Sequence, residues 1–166
     1  DDSGEYQLHI RAQNGTGDVE KIALADKPVF YYELDWSPDS KKILYRDSNL
    51  NIHYYDTEAK KSVKIDQDLY DSVWRFLNPV WAPDSKWIAY TKQLKNHLRA
   101  VFLYSLATAK TTQISDGLSD AQYAVFEPGG KHLFFTASSN VGLSNAWLDM
   151  SSLDHTTTSS VYVTVL

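Results

Sequence analysis

Trp36-Ser37-Pro38-Asp39-Ser40-Lys41 returns as Trp81-Ala82-Pro83-Asp84-Ser85-Lys86, and again as Phe126-Glu127-Pro128-Gly129-Gly130-Lys131. The anchor aromatics stand 45 residues apart both times. A fixed period in the low forties marks a repeat architecture, in which each unit buries its apolar face against the next. A residue that recurs in every unit then serves packing first.

The motif punctuates each repeat as a turn. Pro suits an early turn position, Asp and Ser hydrogen-bond nearby backbone, and Gly129-Gly130 supplies positive φ in the third copy. An apolar segment precedes each motif, at 29–36, 73–81 and 122–126, and a short strand follows, at 42–45, 87–90 and 132–135. The two middle repeats add third strands, 51–55 and 100–104, and fourth strands, 62–65 and 111–114. The turns between them are polar, at 56–60 and 107–110. Four short antiparallel strands per repeat describe a β-propeller blade.

The ends are out of phase. Strand-like stretches at 5–11 and 19–24, joined by Asn14-Gly15-Thr16-Gly17, match the outer two strands of a blade. Residues 137–160 are a long polar stretch rich in Ser, Thr, Asn and Asp, and 160–166 read as a third strand. The expected fold is all-β, with twelve or thirteen short strands and no helix of more than two turns outside 137–160. It is a partial β-propeller of about three to three and a half four-stranded blades. The divisions are a half blade at 1–25, blades at 26–68 and 69–116, and an incomplete blade at 117–166.

Composition narrows the function. Of the 166 residues, 43% are hydrophobic and 22% charged, as in ordinary globular proteins. Eleven Tyr and five Trp favour strands. A net charge of −5 argues against nucleic-acid and anionic-membrane partners. With no Cys, there is no disulfide, thiolate metal site or cysteine nucleophile. No apolar run has the length of a membrane helix. The acidic opening Asp1-Asp2-Ser3-Gly4-Glu5 lacks a signal-peptide plan, and no initiator Met is present. The expectation is a mature or trimmed chain, with periplasm and cytoplasm both open.

The Trp-Ser-Pro-Asp-Ser-Lys motif resembles the repeat of TolB-type and tricorn-type propellers. The last repeat is more particular. Ala137-Ser138-Ser139-Asn140-Val141-Gly142-Leu143, Trp147-Leu148-Asp149-Met150-Ser151-Ser152 and Ser160-Val161-Tyr162-Val163-Thr164-Val165-Leu166 resemble the final propeller blade of tricorn-like serine proteases. The resemblance implies peptide degradation by a parent protein whose propellers filter or guide substrate. It implies no catalysis here, because the family's nucleophile and base lie in other domains.

Residue constellations agree with a non-catalytic segment. His9, His53, His97, His132 and His155 show no metal-binding spacing, and His9 and His53 share one blade position. No Gly-x-Ser-x-Gly elbow is present, and Ser138-Ser139-Asn140 reads as loop. Asp66, Asp68 and Asp71 lack the central Gly and terminal Glu of a calcium loop and read as a solvated connection. No Gly-rich phosphate loop occurs. The expectation is therefore no catalytic residue, no metal and no cofactor.

The segments entering the first strands do not repeat. They carry Tyr31 and Tyr32, then Trp74 and Arg75, then Asp120 and Tyr123. In a propeller such segments reach the mouth of the axial channel, where varied aromatic and charged side chains suit peptide binding. These six are the candidate substrate-binding residues, with packing between blades as the plain alternative. Three functions follow: a gating, binding or scaffolding segment of a tricorn-like protease, a stand-alone TolB-type protein-binding module, or an enzyme with an unrecognised site. Broken blades at both ends lead to a further expectation, self-association, with two copies head to tail in a six-bladed ring.

Overall fold

Aromatic and β-branched residues in short runs, cut by Asp-, Ser- and Gly-bearing turns, leave the chain few options besides strands. The computed structural model describes residues 6–70, 77–141 and 156–166. They contain thirteen strands and no helix. Trp74 and Arg75, Asp71, and most of the polar stretch after Ala137 lie outside the described residues. Contacts divide the chain into two compact units, one of residues 1–36 and 40–67, the other of residues 37–39 and 68–166.

In the first unit, β1 (Leu8–Ile10) and β2 (Glu20–Ile22) form an antiparallel pair. Then β3 (Tyr31–Trp36), β4 (Lys42–Asp47), β5 (Asn51–Asp56) and β6 (Lys61–Gln67) follow as a simple meander. Leu8 packs with Ile43, Tyr45 and Tyr55, with Ile10, Ile22, Leu24 and Tyr31 around them. Side chains close the turns. Asp47 Oδ1 accepts from the backbone N–H of Asn49 (2.8 Å) and Asn51 (3.0 Å), and Asp56 Oδ1 from Glu58 (3.0 Å) and Ala59 (2.8 Å). Each satisfies donors that a tight turn leaves open.

The second unit repeats the meander. Its first sheet holds β7 (Val80–Trp81), β8 (Trp87–Gln93), β9 (Arg99–Ser105) and β10 (Lys110–Gln113) in sequence order. Its second holds β11 (Asp120–Phe126), β12 (His132–Ser138) and β13 (Ser160–Val165). The sheets share a core in which Ala89, Val101 and Leu103 of the first meet Ala121, Ala124, Leu133 and Ala137 of the second. The alanines let the two backbones approach closely, and the core residues keep to one face of each sheet at period-2 spacing, except that Ala121 and Ala124 stand three apart because the β11 register shifts between them.

The repeated motif is one turn in two chemistries. Ser40 (φ 58°), Ser85 (φ 59°) and Gly130 (φ 69°) occupy the left-handed region at the same position. Ser85 N–H donates to Ala82 O (2.9 Å) and Gly130 N–H to Glu127 O (3.0 Å). Gly130 alone supplies the positive φ expected of Gly129-Gly130. The tip residues 37–39 belong to the second unit. There the Asp39 N–H donates to Ser85 Oγ (3.0 Å), and Ser37 Oγ donates to Asp39 Oδ1 (2.6 Å).

The three anchors are not equivalent. Trp81 is 8% exposed and packs as expected, but Trp36 is 47% exposed. Trp81 lies on β7, which β11 packs beside. Phe126 is intermediate. A second recurrence has no sequence mark: Glu33 (φ 50°), Asn78 (φ 34°) and Tyr123 (φ 55°) also stand 45 residues apart with positive φ. At Glu33 and Tyr123 the register of the inner strand shifts by a β-bulge. A bulge re-aims its side chain and adds local twist.

Candidate functional site

The sequence 28–32, Pro28-Val29-Phe30-Tyr31-Tyr32, enters β3 with side chains alternating between two directions. Tyr31 turns inward. Its ring meets Tyr45 edge-on with centroids 5.6 Å apart. Burial, then the Asp47 charge, raises its hydroxyl pKa. Phe30 and Tyr32 turn the other way and touch at 4.6 Å, and Tyr6 meets Phe30 edge-on at 4.5 Å. Tyr6 and Phe30 are exposed and Tyr32 is half-buried. The result is a shelf of three rings at the surface of the first unit. Beside it lies a cleft of about 310 Å³ whose lining includes Tyr6, Pro28, Val29 and Tyr31, with Asp26 and Lys27 at its polar side.

The shelf is anchored from below. Tyr45 donates to Ser62 Oγ (3.0 Å), and burial pushes its pKa up to about 12, so its hydroxyl stays protonated. Its ring stacks on His53 at 5.0 Å. His53 Nε2 lies 3.0 Å from Asp47 Oδ2, and Asn51 Nδ2 donates to the same carboxylate (2.8 Å). Burial lowers the His53 pKa against the pull of Asp47. This Asp–His pair faces a tyrosine ring, so it fixes the strand ends that carry the aromatics.

The remaining candidates scatter. Asp120 is buried, and its oxygens accept from the Arg99 backbone N–H (3.0 Å), Nε (2.8 Å) and Nη2. It is thus an internal counter-ion to a buried guanidinium, turned away from solvent. Tyr123 is exposed at its bulge. Tyr31 and Tyr32 are neighbours on β3 but face opposite ways, Tyr31 toward Tyr45 and Tyr32 toward Phe30, whereas Tyr123 and Asp120 belong to the second unit. Tyr6 and Phe30 are absent from the six sequence candidates. Phe30 is flagged only by its place in the aromatic run 30–32, and nothing in the sequence links Tyr6 to it.

A second cleft, of about 370 Å³, lies in the second unit. Phe135 and Tyr162 stack at 5.7 Å on one side, and Asp116, Leu118 and Ser119 are among the residues that close the other. Asp116 Oδ1 is engaged by the Leu118 N–H (2.9 Å). Among the described residues, no three His, Asp or Glu side chains gather as a metal site requires.

No family model matches the chain. It is 27% identical over 109 residues to a protein of Sulfurisphaera tokodaii named "Putative Tricorn-like protease C-terminal subunit", covering 66% of this chain and 12% of that protein. A tricorn protease homologue of Saccharolobus solfataricus is 26% identical over 109 residues, covering 66% and 10%. The chain thus spans roughly a tenth of the curated relatives it matches. Among solved structures, tricorn protease superposes with a TM-score of 0.67 at 17% identity, over 89% of this chain and 14% of that one. TolB of Acinetobacter baumannii gives 0.53 at 23% identity, over 80% and 32%. The sheets are propeller blades, and the chain is a partial β-propeller similar to tricorn-like and TolB-type segments.

Proposed function

We propose that this chain is a non-catalytic propeller segment of a tricorn-like protease, and that it holds or gates extended peptide substrate. The carrying observation is the Tyr6–Phe30–Tyr32 shelf beside its cleft. Exposed aromatic rings on a rigid sheet offer large contact area at small entropic cost. Rings that face solvent while Tyr31 and Tyr45 anchor the strand from within are placed for contact with a ligand. The polar Asp26 and Lys27 at the cleft supply partners for a peptide backbone. Similarity to tricorn-like proteases supports peptide as the ligand class.

Equilibrium dialysis against a tryptic digest of casein tests this. The wild-type chain is expected to retain a subset of peptides. Phe30→Ala should weaken retention by about tenfold, as loss of an aromatic anchor does at other interfaces. Equal retention by both proteins would remove the shelf from the account. The chain should leave labelled casein uncut. Hydrolysis that co-purifies with it, and is lost on a point mutation within it, would make it an enzyme.

A further inference from the structure

The turn between β1 and β2 departs from the repeat. Residues 57–60 join β5 to β6 and residues 106–109 join β9 to β10, whereas residues 11–19 join β1 to β2. All of 11–19 are exposed. Their base is pinned by the pairing of Ile10 with Glu20 and by an ion pair from Lys60 Nζ to Glu20 Oε1 (2.8 Å). In the shorter turns the opening residue leans on the turn between the first two strands of its sheet. Thr57 N–H donates to Lys41 O (3.0 Å) and Leu106 N–H to Lys86 O (3.0 Å). The matching position in the long turn is Arg11, the residue after β1, so further strands of a longer propeller would reach its base. Asn14-Gly15-Thr16-Gly17 stands beyond that contact, at the tip.

The tip holds a reactive pair. Asn14 Oδ1 accepts from the Thr16 N–H (3.0 Å) and from the Thr16 hydroxyl (2.7 Å), an Asx turn that folds the side-chain amide forward over the Gly15 peptide. The two donors also polarise the Asn14 Cγ=O bond and would stabilise charge building on Oδ1 under nucleophilic attack. Gly15 (φ 72°) has no side chain to hinder that attack, and a Cβ built there meets no described atom within 4 Å. Its N–H donates to Ala12 O (2.9 Å), a bond that an exposed turn exchanges readily with water. The second unit carries the same turn in a packed setting. Asp116 Oδ1 accepts from the Leu118 N–H (2.9 Å), and Gly117 (φ 78°) follows it. Gly117, however, is buried. A Cβ there would lie 2.5 Å from Leu94 Cδ1, and its carbonyl accepts from Asn96 Nδ2 (2.9 Å).

We propose that Asn14 is a site of spontaneous deamidation, with water as the only co-reactant. The Gly15 backbone nitrogen attacks Asn14 Cγ, a carbon–nitrogen bond forms, and the Gly15 proton departs with Nδ2 as ammonia. Water opens the resulting cyclic imide at either carbonyl, which gives aspartate or isoaspartate at position 14. No group is oxidised or reduced. Each event adds one negative charge to a turn that already carries Asp18. Asn14 lies outside the paired residues of β1 and β2, so their register is kept. At Asp116-Gly117 the same ring closure would have to displace Leu94 and Asn96, and packing protects that turn.

Tryptic peptide mapping of the folded full chain, aged in mildly alkaline buffer, tests this, because Arg11 and Lys21 release residues 12–21 as one fragment. The synthetic peptide 12–21 serves as the clock. Conversion at Asn14, seen as resolved aspartate and isoaspartate peaks, should stay within about tenfold of the free peptide's rate, as a turn that opens readily requires. Asp116→Asn sets the same amide before the packed glycine, and it should convert more slowly than Asn14 by more than about tenfold. Asn14 left intact when the free peptide has converted overturns the proposal. So does Asp116→Asn conversion at the Asn14 rate in a chain that circular dichroism shows to be folded, since openness would then decide nothing. The wild-type comparison with the peptide stands even if the variant fails to fold.

Discussion

Trp36 and Trp81 occupy the same place in the same motif, yet one is half exposed and the other buried. The motif sets the backbone: both are followed by a Pro-Asp-Ser turn with a left-handed serine at matching φ. It does not set the burial. Trp81 belongs to a strand that β11 packs beside. The same lesson holds between Ala89 and Phe134, which are 45 residues apart. Ala89 lies under another sheet, while Phe134 faces solvent among the β13 valines. In a stacked repeat, a residue's structural weight comes from the neighbouring unit as much as from its own position.

The largest effect expected is at the buried ion pair of the second unit. Asp120→Ala would leave the Arg99 guanidinium buried without its carboxylate, a loss of about 3–5 kcal/mol. Urea unfolding should place its midpoint far below wild type. An unchanged midpoint would mean that Arg99 finds other partners and that Asp120 is free for the ligand role its sequence position suggests. Next comes Leu133→Ala, on the covered face of β12. It should cost about 2–5 kcal/mol. Val161→Ala on the open face of the same sheet, at a side chain 72% exposed, should cost far less. Equal losses would erase the distinction between the two faces.

A smaller effect is set by pH. Burial holds the His53 pKa below its ordinary value of 6.5. On acidification the unfolded chain therefore takes up this proton first, and folding stability falls as pH drops through the region below 6.5. The slope ends once the folded-state pKa is passed. His53→Gln should remove this contribution, which appears as the difference between the stability–pH curves of the two proteins. A flat difference curve would show that the Asp47 hydrogen bond balances burial, and one that rises on acidification that it outweighs burial; either contradicts the lowered pKa. Smallest of all is the surface pair Lys41–Glu58, joined at 2.8 Å with both side chains at least half exposed. Lys41→Ala should change stability by less than about 1 kcal/mol.

The strands were legible because period-2 apolar runs and turn residues coincide along the whole chain. β4, β5, β8, β9 and β12 begin within one residue of where the sequence puts them. The segment before Trp81 was less legible. Among its described residues, 77–81, Val80–Trp81 alone is strand, because Asn78 at positive φ breaks the extended run. The bulges at Glu33 and Tyr123 left no sign, since neither position uses glycine. They are imposed by the sheet, and local propensity gives no hint of them. The candidate site was half legible. An aromatic run can be seen in a sequence, and its alternation sends Tyr31 inward and Tyr32 outward. Tyr6 joins the shelf through tertiary packing alone, and Asp120 is claimed by an arginine 21 residues away.

The claim that neighbours, rather than motif identity, set structural weight is tested most directly by one paired measurement. Trp36→Ala and Trp81→Ala should be unfolded in urea side by side with wild type. Trp81→Ala is expected to lose about 3–5 kcal/mol, the range for a buried aromatic cut to alanine. Trp36→Ala should lose only about 1 kcal/mol, in proportion to the smaller area it buries. Equal losses at the two positions would contradict the account and return both tryptophans to a single packing role fixed by the repeat.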